Sequence, residues 1–224
     1  ARQVTFSNAI ALNGQVIERL ERRLLLAGIS FADGGALPEP EPLNHWEQLK
    51  VGDFNKDKIP DIVVLGYYWK PCRDLPCPWH SFLKTFLGNG GGTFRAGATL
   101  DLPFPSYHYP GNLTVADFNN DGRSDVVAGS FVLVFPDTGP QVEGISDKRL
   151  SVATSDNNGN LQNPTDLNLP VLSDDFDIFG IIAAEISGDA NKDLIAVGRN
   201  MDIEIALGNG QGDFSTGFHV VVPS

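Results

Sequence analysis

The sequence predicts an all-β fold built from three consecutive copies of one sheet unit. Two features recur in the same order in each copy: an acidic loop that runs into a short apolar strand, and a hairpin rich in Gly and Asn. The loops begin at Asp53, Asp117 and Glu185, and such self-similarity at a near-regular spacing is typical of repeat architectures. The composition agrees, because 24 Gly and 15 Pro in 224 residues suit many short strands and turns.

The first 47 residues differ from the rest, and we expect them to form an N-terminal arm. Residues 4–12 suit a strand, residues 15–27 suit an amphipathic helix that stops at Gly28, and the Pro/Glu stretch 38–42 predicts a stiff linker. The run Ile17-Glu-Arg-Leu-Glu-Arg-Arg-Leu-Leu-Leu-Ala-Gly28 resembles the Leu-Glu-x-Arg-x-Leu-Leu-Ala segment near the start of many planctomycete-type bacterial surface proteins. This favours an exported protein, while a plain helix packed on the protein's own sheets is the alternative.

Each acidic loop carries oxygen side chains at positions one, three, five and nine, and its seventh residue can offer a backbone carbonyl. A hard cation such as calcium requires such a set of oxygen ligands. The predicted ligands are Asp53, Asn55, Asp57, Ile59 and Asp61 in loop one, Asp117, Asn119, Asp121, Arg123 and Asp125 in loop two, and Glu185, Ser187, Asp189, Asn191 and Asp193 in loop three. Asx-rich turns that bind nothing are the alternative interpretation.

The loops begin like an EF-hand but cannot close its cage, which needs a bidentate Glu at position twelve. The twelfth residues here are Val64, Ala128 and Ala196. Since each loop is followed by a run of β-branched and small apolar residues that ends in Gly, we expect it to enter a buried strand and not a helix.

The second recurring element is a hairpin. Residues 86–94 and 206–214 read as a strand and a Gly/Asn turn, each leading to a returning strand that stops at Pro103 or Pro223, and residues 153–161 are a blurred middle copy. Gly and Asn suit these turns because they tolerate positive φ.

The combination Asp-Phe-Asn-x-Asp-x-x-x-Asp followed by Leu-Gly-Asn-Gly-x-Gly-x-Phe resembles the FG-GAP/VCBS repeats of calcium-binding β-propellers, found in integrin α-chain heads, fungal lectins and bacterial surface proteins. The resemblance covers about residues 48–224 and implies three four-stranded blades at 48–110, 111–178 and 179–224, with Ca²⁺ in the loops. Glu185 and Ser187 depart from the pattern, and Lys58 and Ala190 stand where Gly122 stands in the best copy. Site three should therefore be the weakest.

Three blades do not obviously close, since propellers usually have four to eight. An open stack would expose strand edges and an apolar blade face at each end. Residues 1–47 could supply a degenerate blade, several subunits could complete one ring, or consecutive subunits could stack without closing. Completion by other copies of the chain, with the arm docking on a neighbour, is the reading we favour.

An insertion between two predicted strands, ahead of the hairpin of residues 86–94, contains two cysteines and is flanked by aromatic residues. We expect Cys72 and Cys77 to form a small disulfide loop, with free thiols or a zinc pair as alternatives. The aromatic residues that could stack on sugars or anchor a partner are Tyr67, Tyr68, Trp69, Trp79, Tyr107 and Tyr109. Shielding of the core is the competing role for them.

Charge and motifs restrict the function. The formal net charge of −12 and the lack of a basic patch argue against nucleic acid, and no nucleophile elbow, zinc-protease motif or phosphate loop supports an enzyme. No apolar run is long enough to span a bilayer, and Asn112-Leu-Thr114 matches the glycosylation acceptor pattern. We expect a non-enzymatic, calcium-stabilised structural or adhesive protein, extracellular or at the cell surface, that assembles with itself. A carbohydrate-binding, lectin-like propeller is the alternative.

Overall fold

The part of the chain that the structure describes is all-β, as the sequence predicts. The computed structural model describes residues 44–69, 79–104, 109–134, 144–167, 178–198 and 203–220, all within one unit, Gly35–Ser224. These residues form twelve strands, and no helix occurs among them. The predicted strand and helix of the N-terminal arm lie outside the described residues.

The strands form three four-stranded antiparallel sheets, each following the chain order. Blade one contains β1 (Asn44–Gly52), β2 (Asp61–Trp69), β3 (Trp79–Gly90) and β4 (Thr93–Asp101). Blade two contains β5 (Tyr109–Ala116), β6 (Asp125–Val134), β7 (Gly144–Ser155) and β8 (Leu161–Leu167). Blade three contains β9 (Ile178–Ala184), β10 (Asp193–Gly198), β11 (Ile203–Gly208) and β12 (Phe214–Val220). Strand β1 begins upstream of residue 48, where the first repeat is predicted to start.

The hairpin predicted in blade one is present between β3 and β4. Gly90 pairs with Thr93, and the two residues between them, Gly91 and Gly92, have φ of 65° and 80°. A side chain in this left-handed region would be strained, which explains the run of glycines.

The blades stack through apolar faces, with β1 next to β5 and β5 next to β9. The first junction core joins blades one and two and consists of Phe54, Val63, Leu65, Leu83, Leu87, Leu102, Phe104, Leu113, Val126, Ala128, Ala153 and Leu161. The second joins blades two and three and consists of Phe118, Val127, Leu150, Val152, Ile181, Leu194, Ala196 and Ala206. Full burial of each large apolar side chain contributes about 1.5–3 kcal/mol.

Strand β6 shows why the strand after the acidic loop is a continuous apolar run. Successive side chains of a strand point to opposite faces, so Val126 and Ala128 pack toward blade one while Val127 packs toward blade three. Both faces of the middle blade are therefore covered. Among the described residues, the three sheets stack without closing into a ring.

Candidate metal-binding loops

The three acidic loops, residues 53–61, 117–125 and 185–193, share one backbone conformation. Positions four and six have positive φ in every loop: Lys56 62° and Lys58 67°, Asn120 58° and Gly122 84°, and Gly188 85° and Ala190 72°. Such a left-handed conformation is uncommon for residues other than Gly, so its recurrence at the same two positions shows that the loops are structural copies. Loop three keeps this backbone despite its divergent sequence.

In loop one, the side chains of positions one and three converge on a single backbone donor. The N–H of Asp57 donates to Oδ1 of Asp53 at 3.1 Å and to Oδ1 of Asn55 at 3.0 Å. The N–H of Lys58 donates to the other carboxylate oxygen of Asp53 at 2.9 Å. The side-chain oxygens of positions one and three are thus brought to one side of the loop.

Loop two repeats this arrangement, but loop three does not. In loop two the N–H of Asp121 donates to Oδ1 of Asp117 and of Asn119, both at 3.1 Å. In loop three Glu185 accepts instead from the N–H of Gly188, one residue before the fifth position. The longer Glu side chain therefore sits differently from the Asp at position one of the other loops.

Position five forms the same turn in all three loops. Its carboxylate accepts a hydrogen bond from the N–H two residues later, at 2.7 Å in loop one, 2.8 Å in loop two and 2.9 Å in loop three. These are Asx turns, which fix the backbone of position seven. In loop three, the N–H of Asn191 and the hydroxyl of Ser187 lower the pKa of Asp189 below its usual value.

Position nine is a buried carboxylate that links the start of the loop to the third strand of the same blade. Asp61, Asp125 and Asp193 are all fully buried. Asp61 accepts N–H bonds from Phe54 and Gly88, Asp125 from Phe118 and Ser155, and Asp193 from Ile186, Ser187 and Gly208, at 2.8–3.0 Å. We call this arrangement the carboxylate clamp. From the sequence, these residues were predicted only as cation ligands. The clamp could have been inferred from their position, because each Asp is the first residue of a buried strand.

Burial disfavours the charged form of two clamp residues. Desolvation raises the pKa of Asp125 to about 6, although the N–H bonds from Ser155 and Phe118 partly offset it, and the nearby carboxylates of Asp121 and Asp117 raise it further. The pKa of Asp61 is raised for the same reasons. In loops one and two, the other two carboxylates of the loop thus oppose the charge of the clamp residue, and a cation would relieve that repulsion; in loop two the guanidinium of Arg123 already pairs with Asp121.

The donor set of loops one and two fits a hard cation in its chemistry. The side chains at positions one, five and nine are carboxylates, and the Asn at position three offers its amide oxygen. Calcium prefers such a set of oxygen ligands. The carboxylates are engaged with backbone N–H groups, however, and within the described segments no group of three or more His, Cys, Asp or Glu side chains is gathered as a metal cluster. The loops thus hold suitable ligands without forming a closed cage.

Side chains at position four connect each loop to the next. The ammonium of Lys56 donates to the backbone oxygen of Asp121 at 2.8 Å, and the amide of Asn120 donates to Oδ1 of Asn191 at 2.8 Å. Backbone contacts join the first two loops as well, since the N–H of Ser124 donates to the oxygen of Asp53 at 2.8 Å. The loops therefore lie in a row along one edge of the blade stack.

The aromatic residues expected in loops lie mostly in strands. Tyr67 and Tyr68 are in β2, where Tyr67 stacks on His45 at a centroid distance of 4.8 Å and Tyr68 stacks on His80 at 5.7 Å. The hydroxyl of Tyr68 also donates to Asp101. Aromatic residues favour such cross-strand pairs, which extend the strands beyond the predicted ends. A role for these rings in sugar binding stays a prediction.

The remaining predicted site residues are three aromatic residues in strands, three residues outside the described part of the chain, and Asn112. Trp69, Trp79 and Tyr109 are strand residues by their backbone, and Tyr107, Cys72 and Cys77 lie outside the described residues. Asn112 is buried within β5, so the folded chain does not present this side chain to a bulky surface glycan.

The fold and the loops define a class of protein: stacked four-stranded blades of the β-propeller type, with an acidic loop before the second strand of each blade. Residues 53–128 match the family model of the FG-GAP-like repeat, a stretch that runs from loop one through loop two into β6. Such repeats are typical of extracellular proteins. No curated protein matches the chain. None of the described segments contains a helix that could cross a membrane.

Proposed function

We propose that the protein is a non-enzymatic, calcium-stabilised structural or adhesive protein that works outside the cell or on its surface. Calcium binds loops one and two through the side chains of positions one, three, five and nine and the backbone oxygen of position seven. Loop three is the weakest site, because Glu185 and Ser187 replace the Asp and Asn of the other loops. The protein assembles with itself into a homo-oligomer or filament through its N-terminal arm.

The observation that carries the calcium proposal is the repetition of one loop geometry. Loops one and two place the same oxygens on the same backbone donors, although the residues between them differ. Each of these loops also contains three carboxylates whose mutual repulsion a divalent cation would offset.

Thermal melting with and without calcium tests the proposal. A ligand that binds only the folded state stabilises it by about 2.7 kcal/mol at one hundred times its Kd, so chelation should lower the Tm by several degrees. Asp57→Asn keeps the shape of the side chain but removes one negative charge from loop one, and should reduce the calcium-dependent shift. Asp213→Asn, an exposed Asp in the hairpin of blade three, is the matched control and should leave the shift unchanged.

Elemental analysis of the purified protein complements the melting curves. We expect at least two calcium ions per chain in a calcium-containing buffer, one for each of the first two loops. No bound metal together with an unchanged Tm in chelator would contradict the proposal.

Deletion of residues 1–36 tests the role of the arm. The arm precedes blade one on a Pro/Glu linker, which gives it the reach to contact another copy. We expect the shortened chain to lose assembly and to keep its calcium-dependent Tm shift. Unchanged assembly after the deletion would show that the arm does not make the contact.

A further inference from the structure

Loop two differs from the other acidic loops in the group that holds the carboxylate of position five. In every loop, Oδ1 of this carboxylate accepts the N–H two residues later, so Oδ2 is left to bind another group. In loop two, Oδ2 of Asp121 accepts a hydrogen bond from Nη2 of Arg123, and the two side chains form an ion pair. Arg123 stands at position seven, which is predicted to offer calcium only its backbone oxygen. Its side chain thus has a separate role in the loop.

The other two loops place a neutral group at the same oxygen. Oδ2 of Asp57 accepts from the side-chain amide of Asn55 at 2.8 Å, and Oδ2 of Asp189 accepts from the side-chain amide of Asn191 at 2.9 Å. An amide donor carries no net charge, so it does not compensate the charge of the carboxylate. Of the three position-five carboxylates, all within the described residues, only Asp121 is paired with a cationic side chain.

The guanidinium of Arg123 is fixed by the hairpin that joins β7 and β8. Its Nε donates to the backbone oxygen of Ser155 at 3.0 Å, and its Nη1 donates to the side-chain oxygen of Asn157 at 2.8 Å. The side chains of Arg123 and Asp121 are only 18% and 25% exposed. A planar guanidinium held at three points is pre-organised, and a partly buried pair is screened less than a surface pair. We call Arg123 with these three contacts the arginine latch.

A second positive charge reaches loop two from blade one. The ammonium of Lys56 donates to the backbone oxygen of Asp121 at 2.8 Å. The glycine at position 122 leaves room for this contact, because a Cβ added to Gly122 would lie 2.5 Å from Nζ of Lys56. Lys56 is exposed, so solvent weakens its effect. The three carboxylates of loop two thus face two cationic groups of the chain, and the arginine latch is the better shielded of the two.

These contacts predict that loop two resists a cation more than loop one does. A divalent ion in loop two is repelled by the guanidinium of Arg123 and competes with it for Oδ2 of Asp121. In loop one, position seven is Ile59, whose side chain carries no charge. Loop one has Lys58 at position six, but this side chain is exposed and forms no ion pair among the described residues. The charges therefore oppose the order that the sequence favours, in which loop two is the best copy.

We propose that the arginine latch is the built-in counter-ion of loop two, which calcium must displace from Asp121, and that loop one therefore fills at a lower calcium concentration than loop two. This inference rests on the calcium binding proposed above and adds its order and the residue that sets it. Both loops offer the same kinds of ligand, and the difference lies in the cationic group that holds loop two in the absence of calcium. The side chain of position seven thus sets the affinity of the site, although only the backbone of that residue is a ligand.

Calcium titration of two matched variants tests the order of filling. Asp57→Asn and Asp121→Asn each remove one negative charge from position five, the first in loop one and the second in loop two. By isothermal titration calorimetry, we expect the wild type to show a tight site and a second site about ten-fold weaker, the size of effect that one unit charge close to a divalent ion produces in water. Asp57→Asn should lose the tight site and Asp121→Asn the weaker one. The reverse pattern would overturn the proposal.

Removal of the guanidinium tests the latch itself. Arg123→Gln keeps the backbone oxygen of position seven, so the predicted ligand set is unchanged. In the Asp57→Asn chain, whose loop one is weakened, we expect Arg123→Gln to lower the Kd of loop two about ten-fold. Arg123→Lys keeps the positive charge and should change this Kd far less. Arg95→Gln removes an exposed guanidinium from β4; it is the control for the lost charge and should leave the Kd unchanged.

Melting curves separate this role from a purely structural one. In chelator, Arg123→Gln should lower the Tm, because Asp121 loses its counter-ion and the hairpin loses two hydrogen-bond donors. In saturating calcium the loss should shrink, because the bound ion then neutralises Asp121. An arginine that only ties the hairpin to the loop would lower the Tm equally in both conditions. That result, or a Kd that Arg123→Gln leaves unchanged or raises, would overturn the inference.

The same samples distinguish a failure of this inference from a failure of the proposed function. A wild type that binds calcium, together with an Arg123→Gln variant of unchanged affinity, overturns the inference alone. A wild type that binds no calcium by calorimetry, and whose Tm is the same in calcium and in chelator, overturns the proposed calcium binding and this inference with it.

Discussion

Replacement of the clamp residue of loop three by Ala should destabilise the protein even when no calcium is present. Asp193 is fully buried and accepts three backbone N–H bonds, from Ile186 and Ser187 at 3.0 Å and from Gly208 at 2.9 Å. Asp193→Ala leaves the buried N–H of Gly208 without an acceptor, which costs about 1–3 kcal/mol. The other two donors are partly accessible to water and add less, so we expect a total loss of about 2–4 kcal/mol.

The assay is urea unfolding in a chelator, where a role in calcium binding contributes nothing. A loss of this size lowers the Tm on the order of 10 °C for a chain of this length. Asp213→Ala, an exposed Asp in the same blade, is the control and should change the free energy of unfolding by less than about 0.5 kcal/mol. If Asp193→Ala unfolds like the wild type in chelator and is weakened only in calcium, the carboxylate acts as a ligand alone and the clamp does not stabilise the blade.

Three further predictions concern the turns and the cysteines. Lys58→Gly should raise the Tm by a few degrees, since it relieves a side chain at φ 67°, whereas Gly122→Ala at φ 84° should lower it. Partial burial opposes the charge of Asp156, but hydrogen bonds from the backbone of Asn160 and Asn158 and from two side chains outweigh it and lower its pKa. Its contribution is thus complete above the ordinary pKa of about 4 and is lost as the pH falls through the lowered value, so the stability difference between wild type and Asp156→Asn should shrink in acid. Mass spectrometry of the unreduced, alkylated chain should show Cys72 bonded to Cys77 and no alkylated cysteine.

Much of the fold was predictable because the repeat imposes the same local constraints three times. The alternation of an acidic loop, a short apolar run and a Gly/Asn hairpin predicts the all-β fold, and the resemblance to FG-GAP/VCBS repeats supplies the number of strands per blade. The positions at which loop three departs from the repeat pattern could also be identified from the sequence. Ala190 stands where the best copy has Gly122, and it adopts φ 72° because the loops share one backbone conformation. The repeat could be recognised in the sequence because each position of one copy has an equivalent position in the other two copies.

The sequence could not show what each carboxylate contacts. Position nine reads as a ligand in the pattern, yet Asp61, Asp125 and Asp193 are hydrogen-bonded to strands distant along the chain, and only the folded sheet brings those N–H groups to them. The contact of Lys56 with Asp121 likewise joins two blades and leaves no local signal. The ends of β2 and β3 were also missed, because Tyr67 and Tyr68 extend the sheet by pairing across strands.

The acidic loop, the carboxylate clamp and the blade junction form one connected structural unit. In loop two, Asp125 holds the N–H of Phe118, and the ring of Phe118 is buried in the junction with blade three, where it packs edge-on against Phe214 at 5.4 Å. The carboxylate that a cation would neutralise is therefore the same one that positions the apolar anchor of the next junction. Because the pKa of Asp125 is raised by burial and by its neighbours, a bound cation would favour the ionised form that accepts both N–H bonds. Calcium bound in loop two would thus stabilise the contact between blades two and three.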